Sequence, residues 1–171
     1  MELTIVAINC DLPFFEYLKR ELEENLKARI TLRSINLPLQ AYSEERKQFD
    51  AKKLLDTLLL LMMTETGGRT VGITEKDIYF DGMNFIFGMG NLGGRHCIIS
   101  TARLNPAFYG QKDDEKFKKR LLKEVYHELG HTMGLMHCKE KNCVMSFSNS
   151  LDEVDSKGKD YCPNCNEKGK K

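Results

Sequence analysis

The sequence contains no tryptophan, only four prolines and no long hydrophobic run. Its longest apolar stretch, residues 54–63, is ten residues long and includes Asp56, whereas a transmembrane helix needs about 20 apolar residues. Residues 1–8 lack a basic region, and their apolar run is too short for a secretory signal. We therefore expect no membrane as a partner, and a buried first strand in place of an export signal.

An excess of charge of one sign is also missing, because 26 basic residues stand against 25 acidic ones. A near-neutral chain gives no electrostatic reason to expect nucleic acid or an anionic membrane as a partner. With 41% apolar residues, the composition excludes simple disorder, which combines low hydrophobicity with high net charge. The 171 residues fit one domain, residues 1–171, with a core of its own. The sequence does not set the oligomeric state, and we favour a monomer.

What the sequence does contain is six cysteines and four histidines. Without an export signal we expect a reducing compartment, and therefore a cytoplasmic protein. In such a compartment, closely spaced cysteines are more often metal ligands than disulfides. The positions of these residues are therefore the strongest clue to function.

The hydrophobic patterns predict an α/β part followed by a smaller C-terminal part. Residues 1–134 contain the periodic segments, whereas residues 135–171 are cysteine-bearing loops that something other than hydrophobic burial must stabilise. The glycine-rich stretch 88–94 is expected to be a connection, and the tail 167–171 to be disordered. The predicted strands cover residues 3–8, 30–37, 70–74, 84–87 and 96–100, and the predicted helices cover 14–29 (opened by Pro13), the segment from Ser43 to Gly67–Gly68, and 113–133.

Three of the four histidines lie in residues 127–137, which read H-E-L-G-H-T-M-G-L-M-H. His127 and His131 are four residues apart and so project from one face of a helix. Two imidazoles at this spacing can bind one Zn²⁺ at about 2.0–2.1 Å. Gly134 can adopt the left-handed conformation that ends a helix and turns the chain back. His137 then becomes the third ligand, and a fourth position stays open for water, as in catalytic zinc sites.

Glu128 makes this motif a candidate enzyme site. Zinc lowers the pKa of bound water from 15.7 to about 7, and a neighbouring carboxylate can take the proton and return it to a leaving amine. Such help is typically worth about 10²–10⁴-fold in rate. An apolar stripe on the opposite helix face can pack on the core, so that the histidines face an open cleft. Ordinary surface histidines are the alternative interpretation.

Four of the six cysteines form two close pairs near the C-terminal end. Four residues separate Cys138 from Cys143, and two separate Cys162 from Cys165. Four thiolates at these spacings suit a tetrahedral structural zinc, and metal binding would stabilise a segment that lacks a core. Disulfides and a redox C-x-x-C motif are the alternatives.

The pattern H-E-x-x-H-x-x-G-x-x-H is the metzincin zinc signature. Together with the four cysteines, Met145, and the segments S-T-A-R-L-N-P (100–106) and V-M-S-F-S-N-S (144–150), it resembles the archaemetzincin family. The resemblance covers most of the second half of the chain. One departure is a spacing between Met145 and Cys162 that is one residue shorter than expected, which concerns a loop and not the ligands.

This resemblance implies an α+β, metzincin-like fold: a twisted mixed sheet, backing helices, an active-site helix and a small zinc-stabilised C-terminal subdomain. It implies that Met145 packs beneath the three histidines, whereas by itself a methionine there is only a soft apolar filler. It also implies two Zn²⁺, one catalytic and one on the four cysteines. The family's zinc-dependent peptidases, some of them aminopeptidase-like, imply peptide substrates.

We therefore predict a zinc-dependent metallopeptidase with Glu128 as the general base. One alternative is a catalytically silent, zinc-stabilised binding module, although ligation alone does not need Glu128. Another is a zinc-dependent ribonuclease, because H-x-x-x-H-x-x-x-x-x-H ligation also occurs in an RNA-processing family; the charge balance argues against nucleic acid. Since we expect no pro-segment ahead of the first strand, access to the cleft should limit substrates to short or unfolded peptides.

Several other residues have both a functional and a purely structural interpretation. Residues 85–90 could form an edge strand that pairs with an extended peptide, but their apolar side chains favour the core. Glu124 could orient a metal ligand, but we expect a solvated helix residue. The remaining residues are interpreted as a solvated helix face (Lys116, Lys118, Lys119, Arg120, Lys123), loop polar groups (Asp152, Asp155, Lys157), a strand histidine (His96) and packed thiols (Cys10, Cys97).

Overall fold

A five-stranded mixed sheet lies at the centre of the computed structural model, which describes residues 1–12, 14–63 and 68–169. Its strands are β1 (Glu2–Ile8), β2 (Arg29–Ile35), β5 (Arg69–Thr74), β7 (Gly88–Gly90) and β8 (His96–Ser100), and a small second sheet contains β3 (Tyr42–Ser43), β4 (Gln48–Asp50) and β6 (Ile78–Tyr79). The large sheet has the order β2-β1-β5-β8-β7, parallel except for β7, which runs antiparallel to β8 at the edge.

Five α-helices accompany the sheets in the described part of the chain. They are α1 (Phe15–Leu26), α2 (Ala51–Leu61), α3 (Asp114–Thr132), α4 (Leu151–Ser156) and α5 (Pro163–Lys168), with short 3₁₀ helices at Leu39–Ala41 and Pro106–Tyr109. None of the helices described is long and apolar enough to cross a membrane.

Both faces of the central strands β1, β5 and β8 are covered, as is usual for parallel strands, whereas the edge strand β2 is mostly exposed. Along β1 the side chains alternate, so that Leu3 and Ile5 pack in one cluster with α1 and α3, while Val6 and Ile8 pack in a second cluster with α2. The cluster on the α1 side of the sheet also includes residues of the C-terminal segment. The active-site helix predicted from the sequence, α3, is therefore held between the sheet and residues 135–169.

The second helix begins later than predicted. The cap is Asp50, not Ser43, and its carboxylate accepts the N–H groups of Lys52 at 2.9 Å and Lys53 at 3.2 Å. Phe49, expected on the helix, lies in β4, because it pairs with Ile78 in the small sheet. The predicted helix end at Gly67–Gly68 falls partly outside the described residues, as does Pro13, and the described helix ends at Leu61.

The strand predicted at 84–87 lies further along the chain, as β7. Only Ile86 makes a bridge, to Ile78, whereas the glycine-rich segment predicted as a connection contains the paired residues Gly88–Gly90. The pattern is misleading because glycine is a poor strand former, but here the strand passes so close to α3 that no side chain fits at Gly88 or Gly90.

Two more boundaries differ near the termini of elements. The first helix ends at Leu26, where Lys27 adopts a left-handed conformation (φ 52°), and Arg29 already begins β2. Residues Glu167 and Lys168, expected in a disordered tail, belong to α5; Lys170 and Lys171 lie outside the described residues.

The C-terminal part does contribute to the core, contrary to the expectation that burial would not hold it. Leu135, Val144, Met145 and Val154 are buried in the same cluster as α3. These residues come singly from turns and a one-and-a-half-turn helix, so they leave no periodic pattern in the sequence. The signal that could have identified α4 is Ser150, whose capping box with Glu153 is formed in the structure.

Candidate active site

The end of α3 brings the three histidines of the 127–137 motif together. Gly134 has a φ of 81°, as predicted, and the chain reverses there. The N–H groups of Gly134 and Leu135 donate at 2.9 Å to the carbonyls of His131 and Gly130, which satisfies the helix end. The turn places His137 beside the two helical histidines, and one ring nitrogen from each histidine lies within 4.8 Å of the others.

The imidazole rings are oriented by backbone carbonyls. His127 Nδ1 lies 2.8 Å from the Val144 carbonyl and His131 Nδ1 lies 2.8 Å from the Leu135 carbonyl. Since a carbonyl only accepts, both Nδ1 atoms carry the hydrogen, and both Nε2 atoms present lone pairs. The two Nε2 atoms face each other at 3.2 Å, close to the about 3.3–3.4 Å that two nitrogens of a tetrahedral zinc site keep. Two such lone pairs would repel without a cation between them, so this donor set fits zinc.

The environment keeps these imidazoles neutral, which metal ligation requires. Burial lowers the pKa of His127 well below its ordinary value, and the Lys157 ammonium and His131 act in the same direction. Burial likewise lowers the pKa of His131 and of His137. The three rings are therefore unprotonated near neutral pH even before a metal binds.

Glu128 is buried next to the histidines, with 4% of its surface exposed. Burial raises the pKa of Glu128 well above its ordinary value, the nearby Glu124 carboxylate adds to this, and Lys157 opposes it. Its Oε2 has no hydrogen-bond partner among the described residues. A carboxylate with a raised pKa and a free oxygen is suited to accept a proton.

Strand β7 forms one wall of the site. A β-carbon at Gly88 would lie 2.7 Å from Glu128 Oε1, and one at Gly90 would lie 2.8 Å from His131 Cβ. Both distances are shorter than real β-carbon contacts, so only glycine permits this approach. The edge strand expected as one interpretation of residues 85–90 is thus present, shifted to Gly88–Gly90.

A cavity of about 370 Å³ opens above these groups. Its polar side includes the three histidines and Glu128. Apolar side chains complete the wall and are Phe80, Met83, Phe85, Ile86, Phe87, Met89, Leu92, Met136 and Phe147. The arrangement is a mostly apolar cleft with a few convergent polar groups, as small-molecule and peptide sites usually are.

Two charged residues of the cleft were interpreted wrongly from the sequence. Glu124 and Lys157, expected to be solvated, are buried, and Lys157 Nζ lies 3.1 Å from Glu124 Oε1. The four-residue spacing of Glu124 and Glu128 was the available signal, but the sequence could not show that Lys157 would cover that helix face.

The basic face of α3 is also less solvated than expected. Arg120 is buried and donates from Nε and Nη2 to the two carboxylate oxygens of Asp155, each at 2.7 Å. Lys123 donates to the carbonyls of Val154 and Asp155 at 2.9 Å. These contacts attach α4 to α3, and the hydrogen bonds from Arg120 lower the pKa of Asp155.

Met145 lies beneath the last turn of α3. It is fully buried, and a β-carbon at Gly130 would collide with its sulfur. The N–H of Cys138 donates to the Met145 carbonyl at 2.9 Å, which ties the segment after His137 to the turn that contains Met145.

The four C-terminal cysteines form a second cluster. The Sγ atoms of Cys138, Cys143, Cys162 and Cys165 all lie within 4.8 Å of one another, and all are unpaired. The 3.8 Å between the Cys138 and Cys162 sulfurs is about the separation of two sulfurs in a tetrahedral Zn–S site, and it is far from a disulfide bond of about 2.05 Å. Hydrogen bonds, first from the Cys165 backbone, lower the pKa of Cys162, whereas burial raises the pKa of Cys143 and of Cys165. It is the geometry of the four sulfurs that fits zinc.

The remaining sulfur and imidazole groups lie apart from both clusters. Cys97 is fully buried in β8, and Cys10 donates to the Ile73 carbonyl at 3.2 Å. His96 is a strand residue, and burial lowers its pKa. All three agree with the packing interpretation.

Comparison with known proteins places this site in a family. The profile of peptidase family M54 matches residues 15–171. The archaemetzincin of Methanopyrus kandleri is 40% identical over 172 residues, covering 98% of this chain and 94% of that protein. The crystal structure of archaemetzincin from that organism has a TM-score of 0.87 at 38% identity, covering 99% of this chain and 93% of that one.

A zinc-dependent peptidase from Methanocorpusculum labreanum has a TM-score of 0.86 at 26% identity, covering 97% of this chain and 99% of that chain. These likenesses confirm the metzincin-like α+β fold that the histidine and cysteine motifs implied. The chain therefore belongs to peptidase family M54, the archaemetzincin family of zinc metallopeptidases.

Proposed function

We propose that the protein hydrolyses peptide bonds at a zinc ion held by His127, His131 and His137, with Glu128 as the general base. The observation that carries the proposal is the convergence of three neutral imidazoles beside a buried carboxylate with a free oxygen. Zinc bound there supplies a Lewis acid that lowers the pKa of water and polarises a carbonyl.

Glu128 would manage the proton in this reaction. Its Oε2 takes the proton of the attacking water, and burial, which raises the pKa of Glu128 above its ordinary value, strengthens the carboxylate as a proton acceptor. The carboxyl then returns it to the amine nitrogen. Gly88 and Gly90 confine the carboxylate from the opposite side and so restrict its position.

Strand β7 would bind the substrate. One of its edges pairs with β8, and it is the last strand in the order of the described sheet. An extended peptide can add to such an edge through backbone hydrogen bonds, and the absence of side chains at Gly88 and Gly90 lets it lie close to Glu128. A folded protein does not offer a free extended segment, which favours short or unfolded polypeptides as substrates.

The four cysteines would bind a second, structural zinc, giving two Zn²⁺ per chain. In this proposal residues 1–171 form one metallopeptidase domain, with residues 1–134 as the N-terminal subdomain and 135–171 as the zinc-stabilised C-terminal one. Six unpaired cysteines agree with a reducing compartment, and we place the protein in the cytoplasm as a monomer.

The test compares the wild-type protein with Glu128→Gln at matched zinc content. Both are incubated with a mixture of synthetic peptides, and products are identified by mass spectrometry. We expect cleavage by the wild type and a loss of at least about 10²-fold in kcat/KM in the variant. Glu115→Gln is the matched control, because Glu115 is an exposed carboxylate of the same helix. Equal cleavage by wild type and Glu128→Gln would refute the general base.

A further inference from the structure

Buried polar atoms without partners are concentrated in the cleft. In the described part of the chain, five side chains have such an atom, and four of them line the cavity. Glu128 Oε2 belongs to the proposed chemistry, which leaves Glu124 Oε1, Ser148 Oγ and Lys157 Nζ unexplained. Nearly all buried polar groups in native proteins are hydrogen-bonded, so three unsatisfied groups in the lining of one cavity point to a ligand that satisfies them.

Glu124 and Lys157 are close enough to neutralise each other but are not aligned for a hydrogen bond. Their charged atoms are 3.1 Å apart, and their side chains are only 4% and 2% exposed. The structural pair Arg120–Asp155 is different, because two aligned hydrogen bonds of 2.7 Å join it. The ammonium of Lys157 has three N–H groups, so most of its donor capacity stays free beside the cavity.

The charges of this wall define the group that fits it. The charges of Glu124 and Lys157 sum to zero, so a charged ligand group would place an uncompensated charge in a buried site. An apolar ligand group would leave the hydrogen-bond donors and acceptors of these side chains unsatisfied. A neutral group that both accepts, from Lys157 and Ser148, and donates, to Glu124, meets both conditions. Among amino-acid side chains the carboxamide is the group that combines these functions on one planar unit.

We propose that Glu124, Lys157 and Ser148 form a substrate subsite for a carboxamide side chain, asparagine or glutamine, close to the scissile bond. The proposal rests on the peptidase function proposed above and names its substrate class. Glu124 is one helical turn from Glu128, about 6 Å along the axis, and an extended peptide advances about 3.3–3.6 Å per residue. The recognised residue is therefore within two positions of the cleaved bond.

The experiment uses synthetic peptides that differ only in one residue near a cleaved bond, with glutamine, methionine, glutamate or lysine at that position. Methionine is the apolar match for glutamine in length. For the zinc-loaded wild type we expect kcat/KM for the glutamine peptide to exceed that for the other three by at least about tenfold. The varied residue is placed in turn at each of the two positions on either side of the cleaved bond. If the wild type cleaves the methionine, glutamate or lysine peptide faster than the glutamine peptide at all of these positions, the proposal is overturned.

Two variants each remove one charge from the subsite. They distinguish a loss of substrate recognition from a general loss of activity. Glu124→Gln leaves the lysine alone, so the preference should move to the glutamate peptide. Lys157→Met leaves the carboxylate alone, so the preference should move to the lysine peptide. Ser148→Ala should lower the glutamine-to-methionine ratio without favouring a charge, and Glu115→Gln should leave the ranking unchanged. An unchanged ranking in both charge variants would overturn the subsite.

Failure of the subsite and failure of the peptidase function give different results. If peptides are cleaved and only the ranking fails, the subsite is wrong and the peptidase function stands. If nothing is cleaved, fluorescence anisotropy of the same labelled peptides on the zinc-loaded protein still tests the subsite, with equal binding of the glutamine and methionine peptides overturning it. Should a single variant misfold by circular dichroism, the double variant Glu124→Gln/Lys157→Met removes both charges and should abolish the glutamine preference without a charge preference.

Discussion

Replacing Gly88 by alanine should displace Glu128 without unfolding the protein. A β-carbon there would lie 2.7 Å from Glu128 Oε1 and 2.8 Å from its Cγ, whereas ordinary contacts begin at 3.4 Å. Gly88 is not among the positive-φ glycines, so its backbone accepts alanine and the conflict is purely steric. The carboxylate or the strand must move by about 0.7 Å to relieve the contact, and a displacement of about 1 Å in a catalytic group can cost about 10²-fold.

We therefore expect kcat/KM to fall by about 10–100-fold, or about 1.4–2.7 kcal/mol of transition-state stabilisation, at unchanged zinc content. The assay is peptide hydrolysis at subsaturating substrate, with zinc measured on the same samples. Gly169→Ala is the control, because its β-carbon would meet nothing closer than 3.4 Å, and its activity should equal that of the wild type. Full activity in Gly88→Ala would refute the view that β7 positions Glu128.

Three further perturbations test the rest of the structure. Exchanging Cys162 and Cys165 for serine should lower bound zinc from two ions to one per chain, whereas Cys10→Ser should leave it unchanged; equal zinc in all three proteins would contradict the cysteine site. Arg120→Met should lower the free energy of unfolding by about 1.5–3 kcal/mol, since Asp155 loses both hydrogen bonds from Arg120 and keeps only an ion pair with Lys116 at 3.6 Å. Because Arg120 lowers the pKa of Asp155 from 3.8, that loss should be full above about pH 4 and shrink in more acid solution, as chemical denaturation at several pH values would show. With zinc removed by a chelator, the melting temperature should fall as the pH drops below 6.5. The reason is that the pKa of His127 is lowered in the folded chain, so the unfolded chain binds protons that the folded chain does not. A melting temperature that does not change with pH would contradict this prediction.

The segments that sequence predicted well are those governed by local chemistry. Helix α3 was expected at 113–133 and spans Asp114–Thr132, because Asp113 caps its start and Gly134 ends it with a left-handed turn. The motif spacing also predicted which histidines and cysteines would come together, since four-residue helical spacing and short loops leave few alternatives. The roles of these residues as zinc ligands stay predictions that metal analysis can test.

The segments that sequence predicted poorly depend on contacts between distant parts of the chain. Glu124 has an ordinary helix-surface pattern, yet it is buried and its carboxylate lies 3.1 Å from the ammonium of Lys157, which comes from beyond α4. Strand β7 contains two glycines against their local preference, because a β-carbon at Gly88 or Gly90 would collide with Glu128 or His131 of α3. A pattern of residues along the chain contains no information about either of these contacts, and both belong to the candidate site.

His137 and Cys138 are neighbours in the chain, so one peptide bond joins the histidine cluster to the cysteine cluster. A chain leaves the ribosome N-terminus first, and α3 with Glu128 therefore emerges well before Cys162 and Cys165. On the proposed assignment, those last cysteines add a restraint on Cys138, and so on its neighbour His137, to the one that the turn at Gly134 already provides. Newly made chains would thus complete this restraint on the third histidine last, when most of the domain has already been synthesised.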